Sequence, residues 1–196
     1  MDKKAIRKNI LNALKSMSPE EHADRSREAI RRLRADSRYI EAGTIGVTIS
    51  RFPELDTRPL VEAAWSDGKR VASPKCAPSD RSMQFRWIQS YEELETVYMD
   101  LLEPAEDRTL PAGKDEIDLL IVPGVAYSDS GYRVGFGGGY YDRYLMQFGG
   151  DRVSLAFEEQ LCGEVPVEPH DIPVNSIFTE RRMVDCRGGS ANGNRL

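Results

Sequence analysis

Apolar positions along the chain follow two rhythms, and the rhythms alternate. Over residues 2–17, Ile6, Ile10, Ala13 and Met17 recur at spacings of four, three and four, which predicts an amphipathic helix. Ser18-Pro19-Glu20-Glu21 then starts a second helix, with a hydroxyl at the N-cap, proline at the first helical position and glutamate at the third. That helix runs to about Asp36. Its arginines at 25, 27, 31, 32 and 34 are interleaved with acids, which marks it, with His22, as a surface helix.

The second rhythm begins at Thr44-Ile45-Gly46-Val47-Thr48-Ile49, a short β-branched run expected to be a strand buried on both faces. Thr57 caps a helix containing Leu60, Val61, Ala64 and Trp65, which Gly68 ends. Arg70–Lys75 reads as a strand, and Met83–Ile88 as a half-exposed one, because apolar and polar residues alternate there. A short helix covers Tyr91–Leu94, and Leu101–Asp115, with two prolines and a glycine, reads as an irregular loop. Ile117–Val122 is the strongest strand and Pro123-Gly124 ends it. Val125–Gly137 reads as a loop, about Gly138–Phe148 as a helix, Val153–Phe157 as a buried strand and Glu159–Leu161 as a short helix. After a proline-rich stretch, Ser176–Phe178 is a last strand, with Met183–Val184 near its end. Helices alternating with strands predict one three-layer α/β/α domain over residues 1–186, with a mostly parallel central sheet and an amino-terminal helical pair. Residues 187–196, rich in glycine and asparagine, read as a flexible tail.

Composition narrows the classes. A chain of 196 residues buries a core without disulfides or metals, and 40% hydrophobic with 30% charged residues is soluble and globular. A net charge of −5 argues against a nucleic-acid footprint. Cys76, Cys162 and Cys186 form no CxxC pair, so neither a zinc site nor a disulfide framework is expected. No run nears the roughly 18 apolar residues of a membrane span, and Met-Asp-Lys-Lys opens no secretory signal. The expectation is a cytoplasmic monomer with reduced thiols and small-molecule partners, without nucleic acid or membrane.

Candidate chemistry centres on Gly131 to Tyr144, with five glycines in nine residues followed by Tyr140, Tyr141, Asp142 and Arg143. Such a loop feeding a helix start makes an anion site of its backbone N–H groups. It is no Walker A loop, since no lysine follows the glycines, and no dinucleotide fingerprint, since Tyr140 stands where a third glycine is needed. Lys3, Lys4, Arg7 and Lys8 crowd the first helix, and Lys3 and Arg7 share one face, either as a solvated basic face or as a clamp for phosphate. Lys75, at a strand's end, either reaches a phosphate or is solvated. Glu54 lies outside the carboxyl end of a strand, where parallel sheets place ligands, and is otherwise a solvated carboxylate. Asp142 near phosphates calls for Mg²⁺ between the charges, or is an acid favoured by the helix dipole. Tyr140 and Tyr141 either stack on an aromatic ligand or pack in the core. His170 precedes Asp171 in the proline-rich loop, and no nucleophilic triad is apparent.

Ile121-Val122-Pro123-Gly124-Val125-Ala126-Tyr127, through Gly135-Phe136-Gly137-Gly138-Gly139-Tyr140-Tyr141-Asp142-Arg143-Tyr144, resembles the signature of the 5-formyltetrahydrofolate cyclo-ligase (5,10-methenyltetrahydrofolate synthetase) family. The resemblance extends to the Lys3…Arg7 helix, Thr48-Ile49-Ser50…Glu54, Pro74-Lys75-Cys76 and Leu102-Glu103-Pro104, in the expected order. It implies an ATP- and Mg²⁺-dependent ring closure. By the same resemblance, ATP is held by Lys3, Lys4, Arg7 and the segment Arg133, Val134, Gly135, Phe136, Gly137, Gly138, Gly139, Tyr140 and Tyr141. Glu54 hydrogen-bonds the pterin, and Phe136 to Tyr140 line the folate. Asp142 and Asp171 serve Mg²⁺, while Arg133, Lys75 and Tyr140 assist the chemistry. Some relatives have lysine where this chain has Gly138, so Lys75 or Arg133 would carry more of the phosphate charge. Two other readings stand beside this one. A non-catalytic folate-binding protein would need neither Asp142 nor Lys3. A sugar-phosphate isomerase or acyl-CoA transferase on a similar layout would need no ATP clamp, and the basic first helix tells against it.

Overall fold

The computed structural model describes residues 2–188. Asp2 caps α1 (Lys3–Lys15), its carboxylate accepting from Ala5 N, and Ser18 caps α2 (Pro19–Arg34), its hydroxyl accepting from Glu21 N. A one-turn helix, α3 (Ser37–Glu41), leads into β1 (Thr44–Gly46). Then follow α4 (Arg58–Ser66), β2 (Arg70–Ala77), β3 (Ser82–Ile88), β4 (Leu94–Thr96) and β5 (Leu102–Pro104). The second half holds β6 (Leu119–Ile121), β7 (Ala126–Tyr127), β8 (Arg133–Val134), α5 (Tyr140–Leu145), β9 (Asp151–Leu155), β10 (Ser176–Phe178) and β11 (Met183–Asp185).

Seven strands form one sheet in the order β11-β10-β9-β6-β1-β2-β3. The five inner strands are parallel, and antiparallel β3 and β11 close the edges. Alternation along β6 shows how both faces are covered. Leu119 and Ile121 join the cluster under α2 and α4 with Leu33, Leu60 and Val61, whereas Leu120 and Val122 join the cluster under α5 with Phe85, Tyr144 and Phe148. The expected three-layer α/β/α fold with a mostly parallel sheet is therefore present.

Several local expectations are corrected. On α1 the buried residues are Ile6 and Leu14, and Ala13 is exposed, because Leu14 fills the cluster under α2. The loop expected over Leu101–Asp115 contributes β5, which pairs with β4, and the loop expected over Val125–Gly137 folds into the β7–β8 hairpin. Ladders of two or three residues are too short to leave a readable alternation. The glycine-fed helix is shorter than expected, Tyr140–Leu145, because Gly137 and Gly139 adopt φ of +100° and +70°, left-handed backbone that a helix does not continue through. Of the expected tail, Arg187 and Gly188 close a 3₁₀ turn with Cys186, and 189–196 lie outside the described residues. Arg25 is not a surface residue: it reaches across to Glu159 and Glu180 and lies over the Phe157 ring. No helix among the described residues is long and apolar enough to cross a membrane.

Leu14 is 1% exposed. Leu14→Ala should therefore cost about 2–5 kcal/mol in urea unfolding. Ala13→Ser should stay within about 0.5 kcal/mol. Equal losses would place α1 in the wrong rotation.

Candidate active site

The chain leaves β1 in extended form, Val47 N donating to Ala72 O at 2.9 Å, and folds back through residues 50–57. Ser50 and Thr57 pinch the neck of this loop. Ser50 N donates to Thr57 Oγ1 at 3.0 Å, and Thr57 N donates to Ser50 Oγ at 2.9 Å. The Thr57 hydroxyl itself donates to Thr48 O, so it closes the loop rather than capping α4; Asp56 Oδ1 accepts from Arg58 N in its place. The loop turns Glu54 toward a cavity of about 30 Å³ that Thr48, Pro123, Gly124, Leu155 and Gln160 also line. This is room for about one water. Burial pushes the Glu54 carboxyl up to about 7, against the smaller pull of Arg51. On the far wall Gln160 Nε2 donates to both Gly124 O and Val125 O, fixing the turn after β6.

Two further elements complete the rim. The Tyr141 hydroxyl on α5 bonds Thr48 Oγ1, joining the glycine-fed helix to the exit of β1. Helix α1 docks on the β7–β8 hairpin through Ile6, which clusters with Ala126, Val134 and Val165. That docking lays Arg7 along the glycine loop: its Nε donates to Gly135 O at 2.6 Å. A Cβ built on Gly137 would lie 3.7 Å from Arg7 Nη2. Among the described residues the terminal nitrogens of Arg7 have no protein partner, which leaves them for an anion. Helix α5 is only six residues long. Its dipole adds little, so loop amides and Arg7 carry any anion affinity. Phe136 and Lys4 are exposed, and the Tyr140 ring occupies the space beside Gly138, where a Cβ would meet it at 2.6 Å.

The acids sit behind this loop. Arg133 is buried, donating from Nη2 to Asp142 Oδ1 at 2.8 Å and from Nη1 to Ile172 O at 2.6 Å. Ile172 N also approaches Asp142 Oδ1, at 3.4 Å, so Asp142 and Asp171 flank one contact. Asp171 accepts from Glu168 N at 2.8 Å and from Lys3 Nζ at 3.2 Å, and Lys3 also bonds Glu168 at 2.6 Å. Ligand atoms of Glu168, His170 and Asp171 all lie within 4.8 Å of one another. A carboxylate-rich cluster suits a hard cation, and here it already draws in the Lys3 ammonium.

The sequence profile of the 5-formyltetrahydrofolate cyclo-ligase family matches residues 1–180. The chain belongs to that family. It is 32% identical over 173 residues to the 5-formyltetrahydrofolate cyclo-ligase of Escherichia coli K12, covering 86% of this chain and 95% of that one. The mouse enzyme of the same name is 27% identical over 191 residues, 91% and 93% of the two chains. Among solved structures, a 5,10-methenyltetrahydrofolate synthetase from Aquifex aeolicus superimposes with a TM-score of 0.84 at 28% identity, covering 100% of this chain and 98% of that one. One from Mycoplasma pneumoniae gives 0.75 at 26% identity, covering 92% and 99%. Membership makes the chain a ligase.

Within this cyclo-ligase family member, three residues stand differently from their sequence-based expectations. Arg133 is held by Asp142 and the Ile172 carbonyl, so it braces the hairpin, α5 and the 166–173 loop. Lys75 turns to Glu95 and Glu103 on the β4–β5 hairpin instead of to the glycine loop, and beside it burial pushes the Cys76 thiol up to about 12. His22, expected on the surface, is buried between the Phe52 and Phe157 rings, with Nε2 2.8 Å from Glu54 O. Its only sequence signal is a place on α2 one turn before Ser26, which is also buried.

Two outcomes test this geometry. A carboxyl raised from 4.5 to about 7 keeps a proton in the native state that the unfolded chain has lost, so Glu54 costs stability as pH rises across that window. Glu54→Gln should match wild type in urea midpoint near pH 4 and exceed it by pH 8; a pH-independent difference would remove the burial argument. Arg133→Ala leaves Asp142 unmatched and should cost about 3 kcal/mol in unfolding free energy. A variant as stable as wild type would show that Arg133 braces nothing.

Proposed function

We propose that the chain closes the ring of 5-formyltetrahydrofolate to 5,10-methenyltetrahydrofolate, consuming ATP and releasing ADP and phosphate. One observation carries the reading: Arg7, from the amino-terminal helix, lies on the Gly135–Gly139 loop, while the Thr48–Tyr141 bond joins that loop's helix to the Glu54 cavity. A cationic backbone cradle and a carboxyl-bearing slot thus share one rim, as a nucleotide and a pterin would require.

The chemistry explains the residue types. The formyl oxygen on N5 is a poor leaving group in water. Phosphorylated by the γ-phosphoryl group, it becomes a good one; N10 attacks the same carbon, phosphate departs and the N10 proton is lost. No step needs a protein nucleophile, and the described site offers none. What the protein supplies is position and charge. Holding the two reactants in contact is worth about 7–11 kcal/mol. Glu54 pairs with pterin N–H groups, and Phe136, Gly137, Gly138, Gly139 and Tyr140 line the folate. Lys3, Lys4, Arg7 and the backbone of 133–141 hold the nucleotide. Tyr140 and Lys75 remain candidates to assist the transfer, Lys75 after exchanging its Glu95 and Glu103 partners. Asp142 and Asp171 are the carboxylates that would hold Mg²⁺, which would neutralise phosphate charge. Their oxygens suit that ion, and each is now matched by a cation, Arg133 or Lys3. Unpaired cysteines support a cytoplasmic setting. We place the enzyme there as a monomer.

Purified protein with 5-formyltetrahydrofolate should develop methenyl absorbance only when ATP and Mg²⁺ are both present; product formed without ATP would overturn the reaction. Arg7→Ala should raise the KM for ATP by at least about tenfold, the size of a lost charge-assisted bond. Its unfolding midpoint should stay near wild type. An unchanged KM would remove Arg7 from the nucleotide site.

A further inference from the structure

We infer that His22 and Ser26, on α2, are positioning residues for Glu54, holding the loop that presents its carboxyl to the substrate; this rests on Glu54 contacting the pterin. The loop over residues 50–57 is pinned at its neck by the Ser50–Thr57 pair, which leaves its tip to be held by something else. The face of α2 does so at two points. His22 Nε2 lies 2.8 Å from Glu54 O, and since a carbonyl only accepts, Nε2 carries the proton. Two residues on, Asp56 N donates to Ser26 Oγ at 3.1 Å, and the Ser26 hydroxyl in turn donates to His22 O at 2.7 Å. Backbone immediately following the Glu54 Cα, from its carbonyl to Asp56 N, is thereby fixed to one helical turn.

The helix that does this is itself held. Arg25, between His22 and Ser26 in sequence, bonds Glu159 and Glu180, and Arg32 Nε donates to Glu180 O at 3.1 Å. These partners lie beyond β9 and β10, so α2 transmits the frame of the sheet to a loop that otherwise leaves it. The His22 ring is packed against Phe157, with centroids 5.1 Å distant, and against Phe52 of the same loop, with centroids 5.3 Å distant. A bond to the main-chain carbonyl of the residue that bears the carboxyl sets its Cα directly. A site that works by complementary hydrogen bonds tolerates displacements of only about 0.5 Å.

His22→Phe keeps a ring between Phe52 and Phe157 and removes the donor. It should raise the KM for 5-formyltetrahydrofolate about tenfold, the value of one hydrogen bond, and leave the KM for ATP unchanged. His22→Gln, whose amide N–H can reach the same carbonyl, should recover part of the loss. In wild type the His22 ring nitrogens should show the ¹⁵N shifts of the Nε2–H form. A folate KM that does not move, or two KM values that rise together, would overturn the inference. Glu54→Gln, measured alongside, separates the two levels. If it leaves the folate KM unmoved, the substrate role of Glu54 fails and the positioning role falls with it. If it raises that KM while His22→Phe does not, the positioning role alone fails. The double variant His22→Phe, Glu54→Gln should be no worse than Glu54→Gln alone; multiplied effects would show that His22 acts elsewhere. Should the phenylalanine variant fail to fold, Ser26→Ala, which strips the acceptor from Asp56 N, bears the same comparison.

Discussion

A buried guanidinium is the constraint on which the glycine-loop side of the structure depends. Arg133 has almost no contact with solvent, and a charge so placed must be matched. It is matched by Asp142 on α5 and by the Ile172 carbonyl, so one side chain of a two-residue strand joins the β7–β8 hairpin, the short helix and the 166–173 loop. The glycine loop is strung between the first two of these. Its left-handed residues at 137 and 139 supply the turn, and the Arg133–Asp142 pair fixes where the turn ends. Asp142 is therefore structural before it is anything else.

The Glu54 side is governed by the opposite problem, a carboxyl that burial prefers to keep protonated. Glu54 sits on a loop with its own neck, its own struts from α2, and a cavity that holds about one water. Burial outweighs the pull of Arg51 and makes the carboxyl unfavourable as an anion, and a ligand donating two N–H groups would reverse that preference. The two sides meet at the Thr48–Tyr141 bond. That bond links the exit of β1 to the helix that follows the glycine loop.

Much of the fold was legible in the chain. Strand patterns at Thr44–Ile49, Arg70–Lys75 and Ile117–Val122 depend on short-range β-branched runs, and the Ser18 cap on an adjacent side-chain oxygen. Gly137 was legible as loop, whereas Gly139, expected inside the helix, adopts left-handed backbone that ends the turn before it. The two hairpins were not, since a ladder of two or three pairs is stabilised by what it packs on, not by its own alternation. Leu14 and Ala13 were exchanged for the same reason: the stripe on a short helix shifts by one residue when a distant helix supplies the better contact.

By itself the sequence determined the strand and helix order, the glycine turn, and, through its ordered motifs, the family. Those follow from properties local to a few residues. Only the tertiary structure decided which charges are free. Lys3, Lys75 and Arg133 are all basic residues in motif positions, yet each is matched by carboxylates, whereas among the described residues Lys4 and the terminal nitrogens of Arg7 meet none. The same holds for His22, whose role depends on a carbonyl 32 residues away. Pairing of charge and placing of a donor are long-range events, settled by how α1 and α2 dock on the sheet, and no spacing along the chain encodes them.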